Sequence, residues 1–376
     1  PVFWQTIGEV DECLRSMGAS WSVVEELQRD ANESRVNQVS HSLPLSVAVQ
    51  IALVNLLRSW GIHPTGVTGH SSGEVGAAYA AGAISLSAAM AIVYSRGDLT
   101  SQFQRLLDRA GGMVAVGLGR ENAQAVLSRV QSGKAVIACV NSPSSVTISG
   151  DMIAIEEIEA ILAQEQVFAR RLKVEAAYHS HHMLPIADDY REMLSRFLQP
   201  EPGYDGGITY SSPTTGDRMY SGEEIASPEH WVRNMVQPVE FLDALRNLCV
   251  NPAETDGTPA VDLLIEVGPH GALAGPVRQT LQLPELQPAG IAYESCLTRG
   301  ENAVQTMHRL VSSLVKQGYP VDLGAVNFPY SHQGIPMLTD LPTYPWNHET
   351  SYWTEPRMNR DLRTRTFAPH DLLGVA

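Results

Sequence analysis

Gly66-Val67-Thr68-Gly69-His70-Ser71-Ser72-Gly73-Glu74-Val75-Gly76-Ala77-Ala78-Tyr79-Ala80-Ala81 decides how this chain is read. A short β-type run leads into a G-x-S-x-G sequence centred on Ser71, and a small, apolar, helix-compatible run follows. Strand, sharp turn and helix together make the setting of a nucleophile elbow. Glycines flank the serine because the turn is tight and neighbouring chain passes close to it. The serine oxygen then projects near the start of the next helix, where backbone N–H groups can bind a developing oxyanion. The five-residue pattern also occurs in ordinary Gly/Ser loops, so its meaning rests on the residues around it.

Upstream, residues 45–60 are apolar on nearly every face, the pattern of a helix buried in a large protein. Residues 1–40 are polar with helical spacing, and Gly61-Ile62-His63-Pro64 turns the buried helix into the strand before Ser71. Helix, strand, elbow and helix predict an α/β layer fold with a central parallel sheet. Downstream, Ser85 is a suitable N-cap for a helix over 86–107 whose apolar stripe includes Met90, Val93, Leu99 and Phe103. Arg96 lies on or beside that stripe. A charge facing the core needs a partner. The residues leave two readings: an internal Asp or Glu, or a substrate carboxylate held bidentately by the guanidinium.

Residues 112–174 change character and predict β-α-β-β-α-β, a ferredoxin-like subdomain inserted in the larger one. Strands are expected over 113–118, 135–140, 146–149 and 167–174, and helices over 121–130 and 153–163. Arg171 and Lys173 on the last strand form an isolated basic patch, usually a solvated face. Next comes Tyr178-His179-Ser180-His181-His182. This H-x-H-H run has no nearby carboxylate or Cys at ligand spacing, so no metal is assigned. A histidine here is instead read as general base for Ser71. Ser180 or the His181-His182 pair begins a helix through 198. Strands follow at 208–211, 262–267 and 289–295, with helices from Ser227-Pro228, over 239–248 and over 302–316. His270, in a strand-to-helix turn, is a second candidate base. Beyond Tyr319, prolines mixed with Tyr344, Trp346, Tyr352 and Trp353 predict an extended strap packing aromatics onto a neighbour.

The chain has 376 residues, is 44% hydrophobic and carries a net charge of −15, enough for a large core or several smaller ones. The acidic balance argues against nucleic acid or an anionic membrane as partner. No apolar run is read as reaching membrane-spanning length. The four cysteines, Cys13, Cys139, Cys249 and Cys296, form no C-x-x-C pair and read as reduced core thiols of a cytoplasmic protein. The first residues, Pro1 to Gln5, carry neither an initiator Met nor a basic leader, and the chain reads as cut from a longer one.

With these residues quoted, the chain resembles the acyltransferase (malonyl-CoA:acyl carrier protein transacylase) domain of type I polyketide synthases, most of all the fungal highly reducing class. The resemblance rests on Gly69 to Glu74, Tyr94-Ser95-Arg96-Gly97, Asn141-Ser142-Pro143, Ala176 to His179, Gln237-Pro238-Val239, Glu266 to His270, and Leu341 to Trp346. It implies an α/β acyltransferase fold with an α/β-hydrolase-like parallel-sheet core and the ferredoxin-like insertion. The implied pieces are 1–111 and 176–318 (large subdomain), 112–175 (small subdomain), 319–369 (linker strap) and 370–376 (start of a dehydratase domain). It implies Ser71 as the acylated nucleophile and His179 as its base. Ser72 N–H would serve the oxyanion hole, and Arg96 would bind the malonyl carboxylate. Tyr178 would set selectivity, and the Gln237 carbonyl would orient His179. Arg171 and Lys173 are the candidate carrier-protein contacts.

The implied substrate is malonyl-CoA, with no cofactor or metal held by the domain itself. The implied partners are the phosphopantetheine of an acyl carrier protein, and ketosynthase and dehydratase domains of the same chain, in a homodimeric synthase. Two departures from the family pattern stand out. The family opens with a strand and a G-Q-G turn that helps form the oxyanion hole, and this chain begins after it. The H-A-F-H of malonyl-type domains reads Ala176-Ala177-Tyr178-His179 here. Two other readings share parts of the pattern. An α/β-hydrolase or thioesterase shares the elbow but needs Ser, acid and His in that chain order. A non-catalytic carrier-docking domain would not need Ser71, His179 and Arg96 intact.

Overall fold

The first helix, α1 (Val2–Ser16), buries Ile7, Val10 and Leu14, one stripe at three- and four-residue spacing. In this computed structural model all residues are described except 107–110, 175, 251–258, 332–337, 351, 367, 369 and 373–376. The chain divides into two units, Pro1–Tyr330 and Ser331–Ala376. In the first unit α2 (Val23–Gln28) follows α1, and then comes α3 (Val39–Ser59). α3 begins before residue 45, at Val39, with Pro44 inside it, where the proline removes one N–H from the helical ladder. Among the described residues it is one helix long and apolar enough to cross a membrane, contrary to the expectation from the run over 45–60. It packs against α1, against α4 (Gly73–Ala81), which follows the two-residue strand β1 (Gly66–Val67), and against α5 (Leu86–Leu106). Ser85 caps α5 as expected, its Oγ accepting from the Ala88 N–H at 3.2 Å.

The inserted unit contains β2 (Gly111–Val116), α6 (Arg120–Leu127), β3 (Ala135–Ser142), β4 (Ser145–Asp151), α7 (Met152–Gln164) and β5 (Ala169–Arg171). Its strands are antiparallel in the order β3-β4-β2-β5, the ferredoxin-like arrangement the alternation of patterns predicts. Val114, Val116 and Ile148 of the sheet pack with Ala123, Val126, Ile155, Ile158 and Leu162 of the two helices in one separate core. β5 ends at Arg171, so Lys173 lies beyond the strand rather than on it.

After His179 the chain makes a 3₁₀ helix (His181–Ile186) capped by the Ser180 hydroxyl, then α8 (Ala187–Leu194). β6 (Thr209–Ser211), β7 (Arg218–Met219), α9 (Gly222–Ile225), α10 (Pro228–Val236) and α11 (Phe241–Cys249) come after it. Then come β8 (Leu263–Glu266), α12 (Ala274–Leu281), β9 (Ala292–Ser295), α13 (Ala303–Lys316) and α14 (Leu323–Asn327). The parallel pairing is present, but in two pieces. β1 pairs with β6 and β8 with β9, both parallel, while β7 adds antiparallel to β6.

A cavity of about 830 Å³ separates the two pieces, touching Gly66–Gly69 on one side and Leu263–Val267 on the other. β8, though apolar, is therefore only half-buried along its length. All four cysteines are free thiols; Cys139, Cys249 and Cys296 are buried. In the second unit α15 (Arg357–Arg363) is joined to Glu355 through Arg363, and the rings of Tyr344 and Trp346 meet at a tilt of 57° with centroids 4.7 Å apart. Of the stretch expected to open a further domain, residues 373–376 lie outside the described residues.

Candidate active site

The elbow forms as its residues dictate. β1 ends at Val67, and Ser71 adopts φ 53°, a left-handed conformation that a non-glycine residue takes only when its surroundings enforce it. Gly69 makes the turn sterically feasible, because a Cβ there would lie 2.3 Å from the Glu74 amide nitrogen. Gly73 is under no such demand: a Cβ there would meet only Gln50, at 3.8 Å. The amides of Gly73, Glu74 and Val75 are bonded back to the carbonyls of His70, Ser71 and Ser72. Of the amides just past the nucleophile, that of Ser72, the N-cap residue of α4, is the one these bonds leave over.

Ser71 Oγ lies 2.7 Å from His179 Nε2, and His179 Nδ1 lies 3.0 Å from the Gln237 carbonyl oxygen. A carbonyl only accepts, so it holds the proton on Nδ1 and leaves Nε2 free to accept from the serine hydroxyl. His179 is only 2% exposed and also has a positive φ, 58°. Its pKa is lowered well below the ordinary histidine value, first by burial and then by the positive charge of Arg96. The Gln237 carbonyl is placed by its neighbour. Val239 pairs with β3 like an extra strand residue, its N–H donating to Ala138 O and its carbonyl accepting from Val140 N–H, both at 2.8 Å. The small sheet thus sets the orientation of the histidine.

Arg96 is 2% exposed. Its Nη1 donates to Asn234 Oδ1 at 3.0 Å, and its guanidinium carbon lies 4.9 Å from the centre of the Tyr178 ring. Its Nε has no hydrogen-bond partner, and among the described residues it makes no salt bridge. Burial is the first cause of its lowered pKa. A buried cation with an unused donor and no internal carboxylate removes the first of the two sequence readings of this residue.

Two residues that sequence reasoning gave no role hold these parts together. Glu74 is fully buried. Its carboxylate accepts from Tyr210 OH (3.0 Å), Ser212 Oγ (2.5 Å), His230 Nε2 (3.1 Å), Thr214 Oγ1 (2.6 Å) and Asn234 Nδ2 (2.7 Å). Burial alone would raise the Glu74 pKa, but the bonds from His230 and the hydroxyls outweigh it and hold it low. Asn234 spends one amide on three tasks. Its Oδ1 accepts from Arg96, and its Nδ2 donates to Glu74 and to the Ser71 carbonyl at 3.2 Å. The available signal was an acid just inside a helix of Ala, Gly and Val, and an amide on the apolar side of α10. On the other flank His70 Nε2 bonds Asn141 Oδ1 at 2.7 Å, tying the elbow to the small sheet.

The remaining candidates fall elsewhere. His270 Nδ1 accepts the Arg299 N–H at 3.2 Å, a turn-holding role. Arg171 is paired with Glu159 and, at 3.8 Å, with Glu156, both on α7, so it is not the free cation of the expected basic patch; Lys173 is exposed. The cavity behind the elbow touches Gly69, His70 and Ser72 but not Ser71, His179 or Arg96.

The family description "Acyl transferase domain" matches residues 1–312. A highly reducing polyketide synthase of Penicillium oxalicum is 71% identical over 377 residues, covering all of this chain and 15% of that protein. The chain therefore spans a small part of the length of the relatives it matches. Among solved structures, the acyltransferase domain from module 8 of the salinomycin polyketide synthase superposes with a TM-score of 0.74 at 27% identity. That match covers 86% of this chain and 71% of the other. A malonyl CoA-acyl carrier protein transacylase from Clostridium perfringens shares the fold, with a TM-score of 0.67 at 21% identity over 84% of this chain and 90% of its own.

Proposed function

The chain belongs to the acyl transferase domain family and is an acyltransferase; from that premise we propose that it moves malonyl from coenzyme A to a carrier-protein thiol through an acyl-Ser71 intermediate. The carrying observation is the buried Arg96, with no carboxylate partner among the described residues, beside a hydrogen-bonded Ser71–His179 pair. In the first half-reaction Ser71 Oγ attacks the thioester carbonyl as His179 Nε2 takes its proton. The oxyanion is met by the Ser72 N–H, and collapse of the intermediate releases the coenzyme A thiolate, which takes the proton back from His179. In the second half the phosphopantetheine thiol of an acyl carrier protein gives its proton to His179 and attacks the acyl-serine carbonyl; collapse breaks the bond from that carbonyl to Ser71 Oγ, which takes the proton back from His179 Nε2 and leaves the malonyl group on the carrier thiol. The Gln237 carbonyl does the orienting work of a triad carboxylate, which separates this arrangement from a Ser-acid-His hydrolase. Intact-mass measurement after incubation with malonyl-CoA tests the proposal: a malonyl adduct on Ser71 supports it, and an unmodified mass under turnover conditions counts against it.

The domain works within a larger synthase with ketosynthase and dehydratase partners, in the cytoplasm, as a homodimer; 1–111 and 176–318 form its main body, 112–175 its insertion, and 319–369 a strap to the dehydratase. Arg171, exposed and ion-paired with Glu159, and Lys173 are the carrier-protein contacts of this reading.

The lowered pKa of His179 makes a prediction about pH. A base whose folded pKa is depressed stays unprotonated below the ordinary histidine range, and is lost only as pH falls through that lowered value. Single-turnover acylation should therefore stay level down past pH ~6.5, with its acid limb below that. Arg96→Gln removes one of the lowering charges and should shift the limb upward. A wild-type limb centred at the ordinary histidine value would show that His179 is not the titrating base.

Tyr178 carries the selectivity reading. Its ring stacks on the Arg96 guanidinium, so it stands beside the place a malonyl carboxylate takes. Malonyl should be preferred over methylmalonyl by about 1–3 kcal/mol. Tyr178→Ser should narrow the ratio of kcat/KM values, and an unchanged ratio would put the selecting wall elsewhere.

A further inference from the structure

We propose that Asp151, His181 and His182 form a divalent-metal site suited to zinc, which clamps the small antiparallel sheet to the turn that carries His179. The carboxylate that H-x-H-H lacks in sequence is supplied from 30 residues upstream: His181 Nε2 lies 3.1 Å and His182 Nε2 2.8 Å from the same oxygen, Asp151 Oδ1. All three donor atoms fall within 4.8 Å of one another. Two imidazole nitrogens and one carboxylate oxygen are a ligand set zinc favours, with a fourth position left for water. Zinc–ligand bonds of about 2.0–2.1 Å in a tetrahedron put ligand atoms about 3.3 Å apart, so each histidine nitrogen needs to move from Asp151 Oδ1 by only a few tenths of an ångström.

The surroundings fit a ligand cluster. Asp151 ends β4 and caps α7, and its other oxygen, Oδ2, accepts the Lys134 N–H at 2.8 Å, which fixes the carboxylate plane. His181 and His182 open the 3₁₀ helix two and three residues past His179. The His182 ring has room on its Nδ1 side because residue 111 is glycine; a Cβ there would stand 3.2 Å from that nitrogen. The His181 side chain is 34% and that of Asp151 22% exposed, so an ion and its water can reach the site from solvent. The metal touches neither Ser71 nor the acyl group. Its effect is to hold the His179 turn against the small sheet that also positions Gln237.

The test uses the untagged chain stripped of metal with a chelator. Isothermal titration with zinc should show one saturable equivalent at micromolar metal, and cobalt substitution should give the visible absorption of a tetrahedral nitrogen–oxygen site. Asp151→Asn keeps a hydrogen-bond acceptor for both histidines but should weaken zinc binding about tenfold or more, and His182→Ala should do the same. His308→Ala, an exposed histidine on α13, should leave binding unchanged. Should the substituted chains misfold, the wild-type titration and cobalt spectrum decide alone. No saturable binding by wild type, an octahedral cobalt spectrum, or undiminished affinity in a folded Asp151→Asn chain each overturns the site and leaves only a hydrogen-bonded cluster. None of these outcomes bears on whether Ser71 is acylated.

Discussion

Ser71→Ala is expected to abolish the malonyl adduct altogether, and His179→Ala to slow its formation by about 10²–10⁴-fold, the usual contribution of a positioned base. The two losses differ in kind. Without the hydroxyl there is no atom to acylate. Without the imidazole the serine remains, at φ 53° beside the Ser72 amide, but its proton has no acceptor in place. Quenched-flow mass spectrometry with malonyl-CoA measures both, and an adduct that survives Ser71→Ala would mean the nucleophile is another residue. The backbone supplies an independent check. Holding a serine in the left-handed region costs of order 1–3 kcal/mol, a cost glycine escapes. Ser71→Gly should be as inactive as Ser71→Ala yet more stable, by about 1 kcal/mol in denaturant unfolding. Equal stability of the two would show that the elbow is not strained.

Arg96→Ala is expected to separate malonyl from acetyl. Hydrogen bonds to a charged group contribute about 1.5–3 kcal/mol each, so a bidentate carboxylate pair lost from a dry site should cost malonyl loading about 10²-fold or more. Acetyl has no free carboxylate, and its loading should change far less. The ratio of the two kcat/KM values, rather than either alone, is the measurement, because removing a buried cation also frees Asn234 Oδ1 and the face of Tyr178. Equal losses for both acyl groups would make Arg96 a structural residue that only braces Asn234. Arg96→Lys sharpens the point: it keeps the charge and loses the planar fork, and should recover only part of the malonyl rate.

Much of this was legible in the residues. The elbow, the apolar α3, the Ser85 cap and the alternation that gives the small antiparallel sheet all follow from local patterns, and local patterns survive folding because they are set by near neighbours in the chain. The strand ends were less legible. β5 stops at Arg171, which takes Lys173 off the strand, and Arg171 turns out to be spent on Glu156 and Glu159 of a neighbouring helix. An ion pair between elements is invisible to a count of charges along one of them. The expected parallel pairing of the core is present as two ladders, β1 with β6 and β8 with β9; which strands pair was not legible, because an apolar run reports burial and not its partner.

The residues alone set the chemistry on offer: a serine in a turn that only Gly69 permits, a histidine run, and an arginine on an apolar stripe. What the tertiary structure decided is which of these meet. His179 rather than His181, His182 or His270 reaches Ser71, because Val239 docks on β3 and thereby aims the Gln237 carbonyl at Nδ1. Arg96 has no carboxylate partner among the described residues: Glu74, the buried acid that shares Asn234 with it, already accepts from five donors. Asp151 comes to His181 and His182 across 30 residues of chain. Each of these contacts joins residues far apart in sequence, and such pairings depend on how whole elements pack, which no stretch of residues encodes alone.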